Sequence, residues 1–156
     1  MNTDNRTPKV VAANEGRQFE VMGATMTYKA TMEDTGGAYS LAVEVTPPGG
    51  GLPLHVHHRE DEAMYILEGE YEIQTGDRSF RAAVGTFVFL PKGTPNGYQN
   101  VGGKPGRFLH LTSPGGFERL VEEMSRITAG GPPDMQKVAE TAKKFGIDFV
   151  RPGPRG

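Results

Sequence analysis

From residue 39 to 45 the side chains alternate: Tyr39, Leu41, Val43 and Val45 stand against Ser40, Ala42 and Glu44. A period of two belongs to a half-buried strand and not to a helix. Short runs of this kind recur along the chain, each cut by glycine or proline. Residues 18–22 and 25–30 read as strands meeting at Gly23, with a turn at Thr35, Gly36 and Gly37. Residues 62–67, 71–75 and 78–82 follow, with Gly69 and the pair Gly76 and Asp77 at the turns. Residues 86–90 are apolar throughout and are expected to be covered on both faces, and a last strand is expected at 107–112. With 22 glycines and 12 prolines in 156 residues, about nine short strands give the rhythm of a closed or double-sheet all-β fold.

The period changes after Ser113. Phe117, Leu120, Val121, Met124 and Ile127 recur on one helical face, with Ser113 expected as N-cap and Pro114 in the first helical position. Residues 130–133 break the helix. Asp134 is expected to cap a second one, whose stripe of Met135, Val138, Ala142 and Phe145 stops at Gly146. The closing residues 151–156 read as a loop, and the length suits one domain.

The absence of cysteine excludes disulfides, thiolate metal sites and cysteine nucleophiles, so any metal must be held by nitrogen and oxygen. Seventeen basic against nineteen acidic residues, net −2 with no basic block, give no electrostatic case for nucleic acid. No apolar run has the length of a membrane span, and the first residues lack the apolar core of a signal peptide. The expectation is a cytoplasmic protein whose partners are a small-molecule substrate and copies of itself.

Chemistry concentrates in the stretch GGGLPLHVHHREDEAMYILEG, residues 49–69. His55 and His57 leave an extended strand on the same face. Glu62 follows at an odd offset, so a turn or bulge must intervene before it opens a second strand. Two imidazoles and a carboxylate can then meet as a facial ligand set that leaves open coordination positions.

These residues also carry a family resemblance. Gly49, His55, His57, Glu62 and Gly69 have the spacing of the first cupin motif, and Gly85, Pro91, Gly93 and Asn100 that of the second. Position 96, where the second motif has histidine, is asparagine. The chain resembles single-domain cupins similar to quercetin dioxygenase. The resemblance implies a jelly-roll β-barrel over residues 1–117, with 1–14 flexible, and a helical extension over 118–156 packed on the barrel or on the seam of a homodimer. It also implies one divalent metal per chain (Fe, Mn, Co, Ni or Zn) on His55, His57, Glu62 and Asn96.

Within that frame Glu62, Asn96 and His110 are the candidate catalytic groups. Glu62 serves as ligand or, unbound, as general base; Asn96 as ligand or hydrogen-bond donor. His110 either enters the cavity as base or ligand or is a core histidine bonded to backbone. Tyr98 shares a strand face with Asn96 and is a candidate substrate contact. Met64, Ile66, Phe87 and Phe89 are substrate contacts or plain core. His58 is expected at the rim, with Arg59, Glu60 and Asp61 either in a solvated turn or supplying a salt bridge that orients Glu62. The implied activity is dioxygenation of a small aromatic or enolisable substrate. The alternatives are a metal-assisted cyclase, isomerase or dehydratase acting on a polyketide-like or sugar-like compound, and a binding barrel without catalysis.

Overall fold

The computed structural model describes residues 6–150. Parts of two expectations, flexibility at residues 1–5 and a loop at 151–156, lie outside the described residues. In chain order the elements are β1 (Arg17–Val21), β2 (Ala24–Ala30), α1 (Met32–Thr35), β3 (Ser40–Thr46), β4 (Gly51–His57), β5 (Asp61–Glu68) and β6 (Tyr71–Thr75). Then come β7 (Arg78–Ala82), β8 (Phe87–Leu90), β9 (Asn96–Asn100), β10 (Gly106–Ser113), α2 (Phe117–Thr128), α3 (Met135–Lys144) and β11 (Ile147–Phe149). A six-stranded sheet, β1-β2-β3-β10-β5-β8, faces a five-stranded one, β11-β4-β9-β6-β7, and every pairing is antiparallel. Consecutive strands such as β4 and β5 lie in opposite sheets, and this crossing-over makes the barrel a jelly roll.

One end of the barrel is filled by side chains. Ile66, Tyr71, Ile73 and Phe108 are fully buried there. Tyr71 and Tyr98 both meet the Phe108 ring edge-on, at 5.2 and 5.3 Å between centroids, which adds a directional term to the burial. Met64 and Ile66, expected at the substrate, belong to this packed core and do not line the cavity. Their strand face points inward as its alternation requires, but at the filled end.

Two further expectations are corrected by the way the sheets face. Phe87 and Phe89 are 63% and 57% exposed, while Val88 and Leu90 between them are buried. β8 is the edge of its sheet and only one face meets the core, so neither phenylalanine contacts the cavity, and residues 86–90 are not covered on both sides. In β3 the inner face is Ser40, Ala42, Glu44 and Thr46, and the more apolar set Leu41, Val43 and Val45 is only half-buried on the outside. Small and polar side chains face inward because that part of the barrel is hollow.

The connections differ in detail. Residues 32–35 form a short helix, closed by a capping box between Thr31 and Asp34 and ended by Gly36 at φ +64°. Residues 6–14 run beside it, with Arg6 Nη1 donating to Thr35 O at 2.6 Å and Lys9 2.8 Å from Asp34. Ser113 does not cap α2. It ends β10 with its hydroxyl donating to Ala38 O, and the helix starts at Phe117 with Gly116 as N-cap. Asp134 caps α3 as expected, accepting from the amides of Gln136 and Lys137. After Gly146 the chain does not simply trail off: β11 pairs with β4, setting Ile147 opposite His57 and Phe149 opposite His55. The helices bring Leu120, Met124, Val138 and Ala142 together with Ile147 over the open end of the barrel.

Candidate metal centre

The ligand candidates come from both sheets. β4 carries His55 and His57 on its inward face, and β9 sets Asn96 opposite His55. From the other sheet β5 supplies Glu62, opposite Thr112 of β10. His110, two residues before Thr112, projects on the same side. All five are buried, none more than 7% exposed. One donor atom from each of His55, His57 and Glu62 lies within 4.8 Å of the others, a spacing that one ion can bridge.

The outer atoms of the imidazoles are already engaged. His55 Nδ1 is 2.8 Å from Pro53 O, which fixes the proton there and leaves Nε2 as the lone pair. Burial pushes His55 below the ordinary histidine value, keeping it neutral, as a ligand must be. His57 Nδ1 lies 2.7 Å from Glu60 Oε1, and its Nε2 lies 2.8 Å from Glu62 Oε1. Burial works against charge on His57, but the hydrogen bonds to Glu60 and Glu62 outweigh it and hold its pKa up at about 9. Glu62 Oε2 is 2.7 Å from His110 Nε2. Burial would raise Glu62, yet its bonds to His110 and His57 hold it far below the usual carboxylate range.

Asn96 Nδ2 donates to Glu62 Oε1 at 3.4 Å, so the amide nitrogen is turned toward the carboxylate. His110 enters the site and is not a core histidine bonded to backbone. Tyr98 lines the cavity, its hydroxyl donating to Glu44 Oε1 at 2.5 Å. His58 is exposed and meets Asp148 Oδ2 at 3.0 Å, at the rim as expected. Arg59, Glu60 and Asp61 do not form a uniformly solvated turn: Glu60 is 8% exposed and bonded to His57, and Asp61 accepts from the amide of Lys92.

Sequence reasoning missed three features. Glu60 sits three residues after His57 across a tight turn, and that spacing was its only signal. Glu44 is buried at 4% exposure in the cavity wall; the small neighbours Ser40 and Ala42 on its face were the available clue. Phe117 and Phe149 close over the imidazoles, with centroids 5.3 Å from His57 and 6.2 Å from His55. Their helix and strand placements depend on the C-terminal segment folding back. Glu44, Phe117 and Phe149 border a cavity of about 100 Å³, otherwise lined mainly by apolar side chains. Met22 and Gly51 stand at its edge, and at Gly51 a side chain would collide with the Tyr98 backbone, which fixes how closely β4 approaches β9.

Comparison with known proteins agrees with this architecture. Residues 42–112 match the Cupin domain family, Cupin_2. The chain is 32% identical over 75 residues to an uncharacterised protein of Methanocaldococcus jannaschii, covering 48% of this chain and 60% of that one. It is 25% identical over 92 residues to quercetin 2,3-dioxygenase of Bacillus subtilis, covering 59% and 27%. The polyketide synthase CurC of Streptomyces cyaneus is 25% identical over 114 residues, covering 71% and 73%. The first two relatives are thus spanned for less than two thirds of their own length. Among solved structures, KdgF from Halomonas sp. superposes with a TM-score of 0.65 at 18% identity, over 72% of this chain and 99% of that one. Residues 42–112 thus match a cupin domain, and they form a jelly-roll barrel with the first-motif residues converging inside it.

Proposed function

We propose that the chain is a metal-dependent enzyme that moves protons on a small, largely apolar, enolisable molecule, in the manner of a cyclase, isomerase or dehydratase. The observation that carries this reading is the buried cluster of His55, His57 and Glu62 opening into an apolar cavity. The donor set fits a divalent ion: His55 is neutral with its outer nitrogen tied to Pro53 O, Glu62 is an ionised carboxylate, and His57, oriented by Glu60, would release the proton that its Nε2 shares with Glu62 when an ion binds between them. Bound there, the ion would supply Lewis-acid polarisation of a carbonyl. His110 Nε2, against Glu62 Oε2, is the proton-carrying atom outside the three-ligand set. Phe117 and Phe149 keep water from the imidazoles. The likeness to the polyketide synthase CurC, which extends over most of both chains, supports a polyketide-like substrate.

A second reading is dioxygenation, supported by the likeness to quercetin 2,3-dioxygenase. Elemental mass spectrometry on the untagged protein, with His57→Ala beside it, tests the centre common to both. Metal near one equivalent, lost in the variant, is expected. The metal-loaded protein is then given benzoylacetone in air and acetophenone in D2O. Exchange of the acetophenone methyl protons without oxygen uptake supports proton chemistry, and oxygen uptake with benzoylacetone supports the second reading. A chain that stays empty after exposure to Fe, Mn, Co, Ni and Zn sinks both and leaves a binding barrel.

A further inference from the structure

Glu44 is used by none of the chemistry above. It projects from β3 into the cavity, 4% exposed, with the Tyr98 hydroxyl as its donor. Thr46, two residues further on the same inward face, is fully buried and also lines the cavity. Its hydroxyl makes no hydrogen bond of ordinary geometry, although Glu44 and Tyr71 are near. A buried hydroxyl without a well-formed hydrogen bond is unfavourable, and so is a buried carboxyl in apolar surroundings.

Position relative to the metal ligands follows from the ladders. Tyr98 is two residues along β9 from Asn96, which faces His55. One inward-facing step along a strand is about 7 Å. Glu44 lies on the opposite sheet across from Phe108, two residues before His110 on β10. Glu44 and Tyr98 therefore stand about one inward step from the ligand cluster, and Thr46, across from Gly106, stands one step beyond Glu44. A cavity of about 100 Å³ is of the order that accepts a single ring.

We propose that Glu44, Tyr98 and Thr46 form a second polar subsite that binds a hydroxyl or carbonyl at the far end of a single-ring apolar ligand whose other end faces His55, His57 and Glu62. Tyr98 and Glu44 recognise the group as a linked donor and acceptor, and Thr46 supplies the remaining hydrogen bond. A ligand lacking the distal group leaves these atoms unpaired, which is where discrimination is strongest. Burial, the largest influence on Glu44, raises its carboxyl above the ordinary value and so favours the form able to donate. The subsite deepens the functional reading in that it needs the same cavity to be the ligand site, but it does not need the metal chemistry.

The test is calorimetric titration with acetophenone and 4-hydroxyacetophenone, on metal-free and zinc-loaded protein. The expected result is about tenfold or greater preference for the hydroxylated probe in both states, reduced to below about threefold in Tyr98→Phe and in Thr46→Val, with acetophenone binding kept within about twofold. Glu44→Gln should shift the preference in the same direction. Thermal unfolding of each variant verifies that it is folded. Equal binding of both probes by the wild type, failure of either to bind, or a preference unchanged in folded Tyr98→Phe and Thr46→Val would overturn the subsite. Preference retained in a protein that takes up no metal would sink the proposed enzyme and leave the subsite standing.

Discussion

His57 and Glu60, three residues apart across the turn between β4 and β5, are joined through Nδ1 and Oε1 at 2.7 Å. The contact orients the imidazole so that Nε2 faces Glu62, and it places a buried carboxylate behind a candidate ligand. Partners of this kind fix the ring and raise its basicity.

Glu60→Gln should accordingly keep the ligand set but weaken it. We expect metal affinity to fall about 10- to 100-fold, measured by competition with a chromogenic chelator. Affinity equal to the wild type would mean that Glu60 only closes the turn.

Asn96 presents its amide nitrogen to Glu62, and an imidazole in that place is the better metal donor. Asn96→His should retain metal more tightly, by about tenfold or about 1.4 kcal/mol, in the same chelator competition. An unchanged or weaker affinity would show that position 96 cannot reach the ion.

Glu44 gives a pH-dependent stability of definite sign. Burial chiefly raises its folded value; His110 and Tyr98 pull the other way, and Glu62 adds to the rise. Below the unfolded value near 4.5 both states hold the proton. As pH climbs, the unfolded chain ionises first, and stability is lost until the folded value is passed. Glu44→Gln has no such loss. Denaturant unfolding should show the variant gaining on the wild type with rising pH above about 4.5, by about 1.4 kcal/mol for each pH unit that separates the two values. A constant difference across pH 4 to 8 would contradict the burial argument.

Phe108 and Phe87 test how the sheets face. Phe108 is fully buried between Tyr71 and Tyr98, so Phe108→Ala should cost about 3–5 kcal/mol in urea unfolding. Phe87→Ala, at an exposed edge, should stay within about 0.5 kcal/mol. Comparable losses would mean that the outer face of β8 is covered in solution.

Some of this was present in the order of residues alone. His55 and His57 share a face because strands repeat every two residues, and Glu62 had to come through a turn because its offset is odd. Asp134 caps α3 through a bond two and three residues away, a local rule that needs no other part of the molecule. What the alternation does not say is which of two faces turns inward. In β3 the small polar face lines a hollow; in β8 an edge leaves two phenylalanines outside; β9 and the three residues of β11 carry too little pattern to announce themselves. The meeting of Glu62 with His110, 48 residues away, and the return of Phe149 to His55 are long-range pairings. They follow from strand order and register, which the whole set of buried contacts decides together. The local period of the sequence therefore determined the strands and the first ligands, whereas only the closed barrel decided what surrounds them.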